Sequence, residues 1–161
     1  MTAYPWLVWL HILGAFIFAF GHGTSAVVAF KLRRERDPVR IAALLEVSLI
    51  STAVLYVGLL LLLGGGIAAG VVGQWFGQLW LWAAIAVLVI VMFLMYAIGS
   101  AYYIQLRRAV GQRGPRDREA PAVLPPAELA ALLDSHRPDA LAAIGVIGLA
   151  AILWLMVFKP A

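Results

Sequence analysis

His11, His22 and His136 are the three imidazoles of a 161-residue chain that has no cysteine. On a helix, the eleven-residue separation of His11 and His22 places the rings roughly 20° apart around the axis and ~16 Å apart along it. Ala15, Phe18, Ala19, Ser25, Ala26 and Ala29 share or border that face, and Trp9, Leu13, Phe16, Phe20 and Val27 form the bulkier opposite side. Two imidazoles opposed at similar depth would ligate a haem such as haem b. Three or four converging ligands would hold copper or zinc. His22 with His136 is the pair closest in depth, His11 lies further out, and a homodimer through the small-residue face would oppose His22 with its copy. Buried histidines that hydrogen-bond neighbouring helices are the other reading of the same residues. The lack of cysteine excludes disulfides, thiolate metal sites and cysteine nucleophiles.

Two hydroxyl stripes are positioned to meet the histidine face: Ser48, Ser51 and Thr52 on one segment, Tyr96, Ser100 and Tyr103 on another. Such groups satisfy imidazoles or join helices across a membrane bundle, and a continuous stripe of them would also serve a transport pathway. Glu46 lies near a segment end, where it snorkels to the interface or pairs with an arginine of the first loop. Gly64 to Gly66, Gly70, Gly73 and Gly77 include pairs four residues apart; beside a turn they are expected to let the chain bend. No strand precedes them and no P-loop lysine accompanies them, which excludes a nucleotide-binding loop.

The elements that position these residues follow from apolarity. From Val47 to Leu106 sixty residues pass without an Asp, Glu, Lys, Arg or His, and 64% of the chain is hydrophobic against 12% charged. A hydrocarbon core of ~30 Å takes ~20 helical residues, so this run must cross twice. Four spans are expected, about residues 5–30, 43–66, 79–106 and 138–158, as an all-α bundle forming a single transmembrane domain over residues 1–161. Barrel strands would alternate polar and apolar residues, which these runs do not. The N-terminal stretch has no basic leader and is too long for a signal core, and is expected to be a retained span.

Charge placement gives the orientation. The net charge is +4, but eleven of twelve Lys and Arg fall within Lys31 to Arg40 or Arg107 to Arg137, beside the ends of apolar segments. That is the pattern of cytoplasmic loops next to a lipid bilayer, not of a nucleic-acid surface. Both termini are then outside an inner membrane, with Trp75, Trp80, Trp82, Tyr4, Trp6, Trp9 and Trp154 in an outer aromatic belt. In the loop 107–137, Gly111, Gly114 and Pro115 break the helix, and Arg116 to Glu119 form a solvated stretch. A short amphipathic helix about 126–136 follows, with Leu129, Leu132, Leu133 and His136 on one stripe. It is either a membrane-surface or partner-binding segment or a helical connector resting on the bundle.

Trp9 to Leu13 around His11, then Gly14 and the apolar stretch with Gly21, resemble the first span of CopD-like bacterial membrane proteins. Ala42 to Leu45 after the basic loop are similar to uncharacterised small membrane proteins of that grouping. Phe18 to Phe20 and Gly21 stand where the recurrent pattern carries Trp-x-Gly. The resemblance covers about two spans and implies a multi-helix inner-membrane bundle, with His11 at the family's histidine and copper handling as CopD's associated chemistry; other membrane bundles with similar histidines hold haem. Three readings follow: a non-enzymatic accessory or assembly subunit, alone or in a larger membrane complex; a haem-binding electron-transfer or metal-handling bundle using His22 with His11 or His136; and a small transporter using His22, Glu46 and the hydroxyls.

Overall fold

A computed structural model describes residues 3–113 and 117–160 and contains only helices and turns over them. Helix α1 spans Tyr4–Arg34 and α2 spans Pro38–Val72. A 3-10 turn at Trp75–Gly77 leads to α3, Leu79–Met95, which continues through a π-helical turn, Tyr96–Ser100, into α4, Ala101–Ala109. The short α5 spans Pro126–Leu133 and α6 spans Arg137–Phe158. Four helical stretches are long and apolar enough to cross a membrane, the third being α3 to α4 as one rod from Leu79 to Ala109. This is an all-α, multi-pass integral membrane protein. Gly114, Pro115 and Arg116, expected in the solvated loop, lie outside the described residues.

Helices α1 and α2 form the tightest pair, and its basis is glycine on both sides. A Cβ on Gly14 would strike the Leu62 backbone and one on Gly58 the Phe18 backbone. At Gly21 it would sit 2.8 Å from the Leu55 nitrogen, and at Gly65 2.7 Å from that of His11. The contacts run in antiparallel step, 11, 14, 18 and 21 against 65, 62, 58 and 55, with the alternating three-and-four spacing of a heptad seam. Each layer sets a glycine against a larger residue. In lipid, where apolar surface is no worse solvated than inside the bundle, this backbone approach is what holds helices together. Gly64 to Gly66 and Gly70 are therefore interior to α2 and not at a bend; the chain turns at Gly73, and Gln74 there adopts a left-handed φ of 58°.

Helix α1 lies between α2 and α6, and α6 between α1 and α3. Gly145 of α6 receives His22, and Gly148, three residues along, receives Val91 of α3. Trp9, Phe16, Phe20 and Val27 are exposed on the outer side of α1, as befits a lipid-facing surface. The apolar core gathers at one end, where Val28, Leu32, Ile41, Leu45, Tyr102 and Leu106 close around Leu129 and Leu133 of α5. Helix α5 thus rests on the bundle; it stops at Leu133, and His136 stands beyond it, exposed.

The opposite end collects both termini and the α2–α3 turn. Trp75 Nε1 donates to the Tyr4 hydroxyl at 3.1 Å, and the Lys159 ammonium sits 4.4 Å from the Trp75 ring centre. Trp80 differs from its expected place in an aromatic belt: it is buried, 5.9 Å from Trp75, beneath the same ammonium.

Candidate functional site

The three histidines go to three different partners. His11 Nδ1–H donates to the Leu62 carbonyl of α2 at 2.8 Å, and Gly65 and Gly66 leave the room its backbone and ring occupy. His22, half-buried in the middle of α1, lies against Gly145 of α6 and has no hydrogen bond among the described residues. His136 is outside the bundle: its Nδ1 is 3.1 Å from Arg33 Nη2 and 3.1 Å from Asp139 Oδ2. The pairing of His22 with His136 is not made. The reason is sequence spacing: α6 begins after His136, and eight residues of it separate His136 from the turn that meets His22. Among the described residues, no group of three His, Asp or Glu is placed to hold a metal ion.

The hydroxyl stripes come together at one point, where the buried Ser48 approaches the Tyr103 hydroxyl, and otherwise go to different partners. Ser51 Oγ and Thr52 Oγ1 donate back to the Ser48 carbonyl, at 2.9 and 2.7 Å, within their own helix. The Tyr103 hydroxyl donates to the Ser25 carbonyl at 3.1 Å and lies 3.3 Å from Ser25 Oγ, so this residue joins α4 to α1. Tyr96 faces outward at 69% exposure and Ser100 is half-buried. A uniform helix would keep Tyr96, Ser100 and Tyr103 on one face. The π turn between Tyr96 and Ser100 winds more residues per turn and rotates Tyr103 away from Tyr96. Neither stripe reaches a histidine.

Glu46 is exposed at its helix surface and makes no ion pair among the described residues. Arg107 of α4 donates to the Leu45 carbonyl at 2.8 Å and joins the third span to the second. Three features lie outside the candidate residues read from sequence. The first is the glycine seam, visible as Gly14 and Gly21, and Gly58 and Gly65, each pair seven apart. The second is Arg107. The third is the Tyr102 hydroxyl, buried at 1% exposure and without a hydrogen-bond partner among the described residues.

At the same end, Arg33 grips Asp139 with 3.0 and 2.9 Å contacts to both oxygens, linking α1 to α6, while Arg36 pairs with Asp134 at 2.8 Å. Arg137 has no carboxylate partner among the described residues and donates to Gln105 Oε1 at 3.0 Å. Beside it, an open groove of about 430 Å³ runs between the π turn and the start of α6.

A family model described as "Predicted integral membrane protein (DUF2269)" matches residues 5–160. No curated protein and no solved structure matches the chain.

Proposed function

We propose, from the premise that the chain belongs to the DUF2269 family of predicted integral membrane proteins, that it serves as a non-enzymatic accessory or assembly subunit. In this reading it sits in the inner membrane with the arginine-rich loop end in the cytoplasm and both termini outside. One observation carries it: the side chains most capable of chemistry are dispersed into separate helix contacts, His11 to α2, Tyr103 to α1 and His136 to the Arg33–Asp139 pair. What the molecule offers to its surroundings is apolar helix surface, from Phe16 and Phe20 to Leu60 and Val89.

His22 supports a second reading, a haem or metal carrier, because its ring lies at mid-membrane without a hydrogen bond. A homodimer through the small-residue face would supply a second axial ligand from the other copy's His22. Since the ring already meets Gly145 of its own α6, pairing with that copy requires α6 to part from α1. The CopD-like reading rests on the residues around His11, whose Nδ1 is committed to Leu62.

Absorbance and metal analysis of the chain purified from membranes in mild detergent separate the two. The accessory reading expects a folded protein without a Soret band or stoichiometric metal, unchanged in His22→Ala, and a defined heteromeric species on crosslinking in intact membranes. One haem or metal per chain, lost in His22→Ala, overturns it.

A further inference from the structure

The groove beside the π turn is walled by Ala97, Ile98, Ala101 and Ala140, with His136 and Arg137 at its mouth. Three small side chains on two facing helices leave the space, and the π turn sets Ala97 and Ala101 along its floor. The groove does not end in solvent. One turn back along α3, Phe93 is 69% exposed, and two turns along α6 from Ala140, Ile147 is 68% exposed, so the apolar floor runs on into the lipid-facing surface.

Arg137 is the charged side chain that lines the mouth, beside His136. The carboxylate that reaches it, Asp139 in contact with His136, is held through both oxygens by Arg33. That leaves the Arg137 guanidinium, with Gln105 as its one hydrogen-bond partner among the described residues, to set the field. Next in sequence to Ala101, the buried Tyr102 hydroxyl makes no hydrogen bond among the described residues. An apolar trough ending in an unneutralised arginine at a span end has the form of a phospholipid: acyl chain, then phosphate. A free phosphate would use the arginine but leave the trough unexplained.

We propose that this groove binds one anionic phospholipid, its phosphate on Arg137 and an acyl chain along Ala97, Ile98, Ala101 and Ala140. The inference rests on the chain being membrane-embedded and holds for either orientation. A basic side chain at a membrane surface contributes about fivefold in affinity for an anionic lipid.

The test titrates the whole purified chain in mild detergent with phosphatidylglycerol and with phosphatidylcholine of the same acyl chains, counting bound lipid by native mass spectrometry. One phosphatidylglycerol should be retained at a concentration about fivefold lower than phosphatidylcholine, and excess inorganic phosphate should not displace it. Arg137→Gln should abolish the preference, and Ala101→Leu, which fills the trough and keeps the charge, should release the lipid. Equal retention of the two lipids by the wild type overturns the proposal, as does a preference that survives in folded Arg137→Gln. Displacement by inorganic phosphate overturns the lipid assignment. Should Arg137→Gln fail to fold, Ala101→Leu decides alone: lipid still retained there overturns the site.

Discussion

At the turn between α1 and α2 one carboxylate ties down two backbone N–H groups: Glu35 accepts from Asp37 at 3.1 Å and from Arg36 at 3.0 Å. These bonds favour the ionised form, and with Arg40 assisting and Asp37 opposing, they hold the Glu35 carboxyl below its ordinary range. A depressed folded-state value means that the contribution to stability is in place above the unfolded carboxylate range and is lost as pH falls through the folded value. Glu35 should therefore titrate below an ordinary glutamate when followed by carboxyl ¹³C shift, with exchange of the Arg36 and Asp37 amides accelerating only over that acid interval. A normal titration would show that these bonds do not form. Histidine behaves differently at this scale. The sequence places His11 and His22 on nearly one face, and they do sit on one helix; yet one meets α2 and the other α6. A face tens of degrees wide borders two neighbours in a bundle, and which neighbour each ring meets depends on helix order, which no wheel contains.

At the scale of the elements, the α1–α2 hairpin carries a sharp contrast among glycines that composition treats alike. A Cβ on Gly58 would enter the backbone of Phe18, where neither side can yield without separating the helices, whereas a Cβ on Gly64 meets open space. Gly58→Ala should destabilise the hairpin by about 1–3 kcal/mol, the range for overpacking. Gly64→Ala should be neutral or stabilise by up to about 1 kcal/mol, because alanine is the better helix former. Reversible unfolding in mixed micelles measures both, and equal responses would refute the seam. Four apolar helices are legible from run length alone. The register of the seam is legible too, in the sevenfold spacing of Gly14 and Gly21 and of Gly58 and Gly65, provided glycine is taken as a packing residue and not as a breaker. The π turn is not legible: Tyr96 to Ser100 carries no proline or charge that would mark a change of winding.

For the whole molecule, the two ends differ in kind. One holds aromatic rings, both termini and a single Lys159 over Trp75; the other holds the two arginine-rich segments, tied together by Arg33–Asp139 and Arg36–Asp134. Exposed ion pairs of this sort add little stability, so their value as evidence lies in position: they put the basic segments on the same end of the bundle. The rule that Lys and Arg stay inside is the ground for proposing that end as the cytoplasmic one. The absence of cysteine makes this testable without background, since each introduced thiol is the only one in the chain. Gln78, exposed at the α2–α3 turn, and Glu119, exposed at the other end, supply the two sites. In intact spheroplasts a membrane-impermeant maleimide should label Gln78→Cys and leave Glu119→Cys unmodified until the membrane is opened. The reverse pattern would invert the molecule, placing its arginines outside against the charge rule; labelling of both in sealed cells would mean that the two ends do not lie on opposite sides of one bilayer, contrary to the four-span fold.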